Sequence, residues 1–432
     1  MSKSGFSILL FSKHFWYLHY QITRFRTIQI VMQIPHQYQF IIQLGKALHT
    51  YGVPSYKSQI YLTEIAKQNG IKGSFMDTPT WINYVFYEED EQTYNYIECV
   101  PPGELNLGAL SKIVEIANAV LNKKMGFDEA KTAIEQIKTM PLGYGKFIEL
   151  LAFMASAGAF SLVLDYNWTS SIAASGIGAI IYAITLWGKR SNYIRSILES
   201  LVAFIATIIA GLLSLKFHDI NISMTILASI IVFIPGLSIT SALEEITSRS
   251  LVSGTAKLFD ALVSLFKQFL GVVLGLATLP LFVDLQPNNV VHTTPIGLVL
   301  VAIIILAFSL TPVFKIRGKD ILFAVIAGFL CFFTTVLLQF TGILISTFIG
   351  SMVAVFISKF FRKITHSPAL VFLIPGIIML VPGSKAFIGL SSVFLTESVP
   401  HTNMGEQVLY IFMGIIGGLI FSGSFVDKAQ NQ

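Results

Sequence analysis

Three Pro-Gly pairs interrupt long apolar stretches of this 432-residue chain. They are Pro235-Gly236, Pro375-Gly376 and Pro382-Gly383. Proline removes a backbone donor and clashes with the preceding helical turn, and glycine weakens a helix further. Inside a membrane, the carbonyl groups that such a break frees need partners or a water-lined cavity. The pairs therefore predict broken helices that line a substrate-binding site, although any single pair is also compatible with an ordinary proline kink.

Polar and charged residues beside these pairs complete the predicted site. Ser384 and Lys385 follow the last pair directly, and a cationic Lys385 at a broken helix suits a substrate carboxylate. An ionisable group at membrane depth is costly and indicates function, unless a lysine extends its ammonium group to the interface. The residues predicted to form a cytoplasmic entrance or gate are Glu244, Glu245, Arg249, Lys257 and Lys267.

Some of these charges have a second interpretation. Glu244, Glu245 and Arg249 can instead form an exposed interfacial cluster, with an i,i+4 pair between Glu245 and Arg249. Glu149 and Glu199 begin two further apolar stretches, and we interpret them as interfacial residues outside the site.

The composition excludes several classes of protein. Apolar residues make up 54% of the chain and charged residues only 12%, about half of the roughly 25% charged residues in soluble domains. These values exclude a disordered chain, a nucleic-acid-binding domain and an ordinary cytosolic enzyme. Cys99 and Cys331 are far apart and form no CxxC pair. The sequence lacks a Walker A motif, which argues against an ATP-driven pump. It also has no HExxH motif and no Ser/His/Asp spacing in its charged block, and we expect no catalytic residues, no metal and no cofactor.

Ten apolar stretches follow Pro141, and each is near the roughly 20 residues that cross a bilayer. They cover residues 147–164, 170–188, 196–215, 222–241, 261–283, 295–312, 320–338, 342–358, 369–391 and 407–425. If the stretches alternate across the bilayer, 13 of the 16 basic residues after position 145 fall on one side. Basic loops face the cytoplasm, so we expect a multi-pass cell-membrane protein with both termini in the cytoplasm.

The chain divides into an amino-terminal extension, a charged block and two membrane halves. Residues 1–32 are basic and aromatic. They form a disordered extension or a membrane-surface anchor, or translation starts at Met32 instead of Met1. Residues 33–145 carry nine basic and 12 acidic residues. Their apolar spacing predicts a cytoplasmic α+β domain with the order ααββαα, in which residues 72–89 and 93–100 are the two extended runs.

The two membrane halves, residues 146–285 and 286–432, each contain five apolar stretches. Because five is odd, two similar halves must have opposite orientations, as in the inverted repeats of many transporters. The sequence Ile-Pro-Gly occurs in the fourth stretch of each half. The predicted fold class is therefore a polytopic α-helical membrane protein with about ten spans in an inverted five-plus-five repeat.

Several segments resemble the threonine/serine exporter family, and the resemblance runs from about Gln37 to Phe425. They are ALHTYGVPSYKSQIYLTEIAKQNG (47–70), FMDTPTWI (75–82), FIPGLSITSALEEITSRSLVSGTAKLFDAL (233–262) and LIPGIIMLVPGSKAFIGL (373–390). The family often has Arg-x-Glu after its first turn, where this chain has Lys57 and Gln59. The resemblance implies a fused form with both membrane halves in one chain.

The resemblance also implies a function. The expected activity is secondary export of threonine- or serine-like amino acids, driven by the proton gradient, and export of small dicarboxylates such as succinate is the alternative. A third hypothesis is a membrane-anchored sensor or scaffold that acts through its cytoplasmic domain. The expected partners are the small-molecule substrate, protons as coupling ion and the lipid bilayer. Homo-oligomer formation stays open, and nucleic acid is not expected.

Overall fold

The computed structural model describes residues 34–88, 93–101, 103, 106–139, 143–281, 293–380 and 404–430. Residues 34–139 form what we call the α+β unit. Its elements are α1 (His36–Thr50), α2 (Ser55–Gln68), β1 (Lys72–Asp77), β2 (Trp81–Tyr87), β3 (Thr93–Cys99), α3 (Leu107–Leu121) and α4 (Phe127–Thr139).

The sheet of the α+β unit has three antiparallel strands in the order β1-β2-β3. The prediction of a single extended run over residues 72–89 is therefore wrong, since this segment divides into β1 and β2. Both the hydroxyl and the backbone N–H of Thr78 donate to the Trp81 carbonyl oxygen, over 2.6 and 3.0 Å. Pro79, which has no N–H to offer a neighbouring strand, lies inside this turn.

One face of the sheet supplies the core of the α+β unit. Tyr84 and Phe86 alternate with half-buried residues along β2 and are fully buried, which is the period of two expected for a sheet covered on one side. Tyr38 of α1 stacks on Phe86 with ring centroids 3.9 Å apart. Phe40, also on α1, stacks on Phe127 at 4.4 Å. Helix α1 thus joins the sheet to α4.

The rest of the chain is helical. Its helices are α5 (Lys146–Leu164), α6 (Trp168–Gly188), α7 (Asn192–Lys216), α8 (Ile222–Ser229), α9 (Gly236–Thr247), α10 (Leu251–Thr278), α11 (Ile296–Val313), α12 (Ile321–Leu337), α13 (Ile343–Thr365), α14 (Leu370–Ile378) and α15 (Met404–Gln430). Among the described residues, seven helices are long and apolar enough to cross a membrane, namely α5 to α7 and α10 to α13. The chain is therefore a polytopic membrane protein.

The helix break expected at Pro235-Gly236 is confirmed. Helix α8 ends at Ser229, a 3-10 turn follows at Ile231–Phe233, and α9 begins at Gly236. The predicted fourth stretch is therefore two short helices joined at an irregular segment, and neither half alone has the length to cross a bilayer.

The second Pro-Gly pair behaves differently. Helix α14 runs through Pro375 and ends only at Ile378, so the break predicted at Pro375-Gly376 is wrong. Pro375 is the sixth residue of this nine-residue helix, and its missing N–H removes only the bond to the carbonyl group four residues earlier. The remaining predicted residues of this region, Pro382, Gly383, Ser384 and Lys385, lie outside the described residues.

Candidate functional site

A cavity of about 770 Å³ lies among the apolar helices, and we call it the inner cavity. Most of its wall is apolar, with side chains from α5, α11, α12 and α15. Its polar and charged lining residues are Glu199, Ser238, Asp260, Ser264, Lys267, Thr335, Gln339, Ser346 and Thr347. Apolar walls with a few converging polar groups are typical of small-molecule sites.

The broken helix forms one wall of the inner cavity. Residues 231–236, which include Pro235 and Gly236, line it. The carbonyl oxygen of Phe233 accepts a hydrogen bond of 2.8 Å from the buried amide of Gln268 on α10. A backbone group freed by the break thus finds a side-chain partner, as a membrane interior requires. Sequence reasoning predicted the break at this wall, but it did not identify Gln268.

Helix α10 carries a charged stripe along the inner cavity. Asp260, Ser264 and Lys267 are spaced by four and three residues, so they share one face of the helix, and all three line the cavity. The ammonium group of Lys267 lies 3.8 Å from a carboxylate oxygen of Glu199 on α7. Lys267, predicted at the entrance, is therefore a lining residue of the inner cavity.

Two acidic residues of the inner cavity were not predicted as site residues. Glu199 was interpreted as an interfacial residue and was not counted among the site residues. It lines the inner cavity, and its carboxylate lies 3.8 Å from the Lys267 ammonium group on the neighbouring helix. Asp260 was not singled out at all. Its signal was available in the sequence, since Asp260, Ser264 and Lys267 recur at helical spacing at the start of the fifth apolar stretch.

A second cavity, which we call the vestibule, lies between the α+β unit and the apolar helices. Its volume is about 320 Å³. His49, Ser55 and Thr80 of the α+β unit line one side of it. Ser238 and Asp260 line both the vestibule and the inner cavity. The two cavities therefore adjoin at these residues.

Glu245 is the centre of a buried contact between the α+β unit and the helices. Its side chain is fully buried and lies 2.5 Å from the ammonium group of Lys257. The same carboxylate oxygen accepts a hydrogen bond of 2.9 Å from the backbone N–H of Ser55, the first residue of α2. Because α2 has no side-chain cap of its own, Glu245 caps it from 190 positions away.

The interpretation of Glu245 and Arg249 as an exposed i,i+4 pair is wrong. Helix α9 ends at Thr247, and Arg249 then adopts a left-handed backbone conformation with φ of 64°. This turn removes the helical geometry that the pair needs. Arg249 is exposed, whereas Glu245 is buried with Lys257 as its partner.

Glu244 makes a second contact with the start of α2. It accepts a hydrogen bond of 2.7 Å from the Tyr56 hydroxyl, and the ammonium group of Lys57 lies 3.3 Å from the same oxygen. Burial, and next the charge of Glu244, raises the pKa of Tyr56 above its ordinary value, so the hydroxyl stays protonated as the donor. We call these contacts of Glu244 and Glu245 with α2 the α2–α9 clamp; the hydroxyls of Ser55 and Ser253, 2.7 Å apart, extend it to α10.

The α+β unit has another anchor in the second half of the chain. Arg317, just before α12, donates two hydrogen bonds of 2.9 and 3.1 Å to the carboxylate of Glu115 on α3. It also binds the buried Asp320 over 3.1 Å, and Asp320 accepts from Ser367 over 2.7 Å. Paired donors of this kind give strong, directional ion pairs. The α+β unit thus contacts both halves of the helical region.

Pro375 and Gly376 are buried in the packing of α14 rather than at the inner cavity. A Cβ atom on Gly376 would lie 3.0 Å from the sulfur of Cys331 and 3.3 Å from the Cβ atom of Ala354. Neither residue lines the cavity, although the next turn, Ile378 and Met379, does. The two Ile-Pro-Gly sequences therefore have different surroundings.

The described part of the chain contains no group of three or more His, Cys, Asp or Glu residues placed to hold a metal ion.

A polytopic helical protein with a charged cavity at a broken helix has the form of a membrane transporter. Residues 39–279 match a family model described as "Putative threonine/serine exporter". Residues 298–425 match a second model, "Threonine/Serine exporter, ThrE". The chain belongs to the threonine/serine exporter family and contains both of its parts.

Curated relatives come from fungi. The "Pheromone-regulated membrane protein 10" of Debaryomyces hansenii is 26% identical over 272 residues, which cover 61% of this chain and 26% of the relative. The protein of the same name from Kluyveromyces lactis is 25% identical over 244 residues, covering 55% and 25%. An uncharacterized protein of Schizosaccharomyces pombe is 27% identical over 253 residues, covering 55% and 32%. The aligned regions span about a quarter to a third of these relatives. No solved structure matches the chain.

Proposed function

We propose that this chain exports small amino acids such as threonine and serine, and that the inner cavity binds them. The observation that carries the proposal is the pairing of opposite charges in one apolar cavity, where Lys267 faces Glu199 and Asp260 lies on the same stripe. An amino acid carries one ammonium and one carboxylate group. Lys267 would bind the carboxylate group, and Asp260 would bind the ammonium group.

The charge of the cavity favours amino acids over dicarboxylates. Two acidic residues and one lysine line the described part of the inner cavity. A dicarboxylate would bring two further negative charges next to Glu199 and Asp260, and like charges repel strongly where the surroundings are apolar. A zwitterion adds no net charge. We therefore favour amino acids as substrates, and succinate export is the alternative that the transport experiment tests.

Proton coupling is part of the proposal. A carboxylate inside a membrane protein can carry a proton between the two sides, and Glu199 and Asp260 are the acidic residues among the described residues that line the inner cavity. Protonation of either one would release its partner, Lys267 or the substrate ammonium group. The cavity could thus bind substrate and proton alternately.

We also propose that the chain has about ten spans in an inverted five-plus-five repeat. Residues 33–145 would form a cytoplasmic domain, and both termini would lie in the cytoplasm. Two observations support a common side for this domain and the basic loops. Arg317, in one basic loop, binds Glu115 of α3. Lys257, beside another, joins Ser55 through Glu245.

The experiment is transport by the purified full chain in proteoliposomes. We expect labelled L-serine and L-threonine to exchange with unlabelled serine inside the vesicles, faster when a pH gradient is imposed, and labelled succinate to stay at the rate of empty vesicles. Vesicles without protein are the control. Serine exchange equal to that of empty vesicles would contradict the proposed function, and exchange of succinate alone would replace it with the alternative.

A further inference from the structure

The vestibule has the features of a binding site in its own right. Its walls come from two parts of the chain: Thr80 lies in the turn between β1 and β2, while Ser241 and Lys257 belong to α9 and α10. At about 320 Å³ it holds the liquid volume of about ten waters at roughly 30 Å³ each. That is enough for one small amino acid and part of its hydration.

Some of the polar groups that line the vestibule already have protein partners, and others are available to bind a ligand. Both ring nitrogens of His49 are engaged, with Asp77 at 2.8 Å and the Pro101 carbonyl oxygen at 3.1 Å. Glu244 is engaged by Tyr56 and Lys57. Asp260, in contrast, forms no ion pair with any described residue. It is the one acidic group of this wall whose charge stays available to a ligand within the described residues.

The opposite end of a ligand would meet hydrogen-bond donors. Thr80, Ser238 and Ser241, which carry hydroxyl groups, line the vestibule, as does Lys257. The ammonium group of Lys257 has three donors and uses Glu245 as one partner. An acceptor for a cation on one side and donors for an anion on the other match a small α-amino acid. A metal ion would find a single free carboxylate here, too few ligands for a stable site.

We infer that the vestibule is a second binding site for a small amino acid, occupied before the inner cavity and built jointly by the α+β unit and the helices. This inference rests on the proposed function. Asp260 lines both cavities, so it can keep hold of the ammonium group while the carboxylate end leaves Lys257 for Lys267. The two lysines lie ten residues apart on α10, with Asp260 between them.

The site also supplies a role for the α+β unit. His49, Ser55 and Thr80 form one wall of the vestibule. Without this wall, water would screen an ion pair between a ligand and the exposed Asp260 more strongly. The α2–α9 clamp holds that wall in place through Glu244 and Glu245. The unit therefore acts as part of the binding site rather than as a separate regulatory module.

The test is the number of labelled L-serine molecules bound at equilibrium by the full chain in detergent. We expect two per wild-type chain. Thr80→Trp, which fills the vestibule only, should leave one, and Lys267→Met, which alters the inner cavity only, should also leave one. Thr93→Trp, an exposed position on β3 away from both cavities, is the matched control and should keep two.

The outcomes separate this inference from the proposed function. One serine per chain, lost in Lys267→Met and kept in Thr80→Trp, would overturn the vestibule site and leave the proposed function standing. No serine binding together with no serine exchange in proteoliposomes would overturn both. Should Thr80→Trp fail to fold, Thr80→Cys in a Cys99→Ser background replaces it. Serine at ten times its Kd should then slow thiol modification at position 80 about tenfold, and an unchanged rate would contradict the site.

Discussion

Two ion pairs, each with a fully buried acidic residue, lie where the helices meet the α+β unit. Removing one partner of such a pair is costly because the other charge stays buried without compensation. Asp320 is fully buried and faces Arg317, and Glu245 is fully buried and faces Lys257. Each acidic residue also accepts one further hydrogen bond, from Ser367 or from Ser55. These residues should therefore matter for stability.

Substitution of Arg317 tests how much one of these ion pairs contributes to stability. Arg317→Met should lower the free energy of unfolding by about 3 kcal/mol, since Asp320 keeps only Ser367 as partner. Arg317→Lys keeps the charge but cannot reproduce the forked contact with Glu115, so an intermediate loss is expected. The measurement is the apparent unfolding midpoint of the full chain in detergent. A midpoint of Arg317→Met equal to that of the wild type would show that the pair contributes nothing.

Helix α9 connects the clamp to the inner cavity. It begins at Gly236, which lines that cavity, and ends next to Glu244 and Glu245, which bind α2. Because a short helix moves as a rigid body, displacement at one end must be accompanied by displacement at the other. We therefore expect α9 to move between states that open the inner cavity to one side or the other, and the clamp to open with it.

A reversible cross-link tests this movement. The hydroxyl oxygens of Ser55 and Ser253 lie 2.7 Å apart, so cysteines at both positions should be close enough for a disulfide. In a Cys99→Ser background, oxidised Ser55→Cys/Ser253→Cys should lose serine exchange, and a reductant should restore it. Each single cysteine variant under the same oxidation is the control. Wild-type exchange by the cross-linked form would show that the clamp stays closed during transport.

For the whole molecule, the sequence allowed prediction of those structural features that depend only on neighbouring residues in the chain. Proline and glycine at positions 235 and 236 break a helix through their own backbone chemistry, and apolar length alone indicates the seven long helices. Burial of Glu245 could not be predicted, since its partner Ser55 is 190 positions away. The same holds for Glu199, whose position at the inner cavity depends on how α7 packs against α10.

Pro375 shows the limit of an argument from motif alone. The sequence Ile-Pro-Gly is the same in both halves, yet one copy directly precedes and begins α9 at the inner cavity, and the other lies inside α14. The neighbours decide the difference. Gly376 packs against Cys331 and Ala354, and its lack of a side chain allows these helices to approach closely. This role depends on how the helices assemble, so the sequence motif alone does not reveal it.

The most direct test of the account is serine exchange by Lys267→Met and Lys267→Arg in proteoliposomes. If Lys267 binds the substrate carboxylate in the inner cavity, Lys267→Met should raise the KM for serine about tenfold or more, which corresponds to about 1.4 kcal/mol of lost interaction. Lys267→Arg keeps the charge and should retain most of the affinity. A monodisperse Lys267→Met protein with the wild-type KM for serine would contradict the central claim that this cavity binds the substrate.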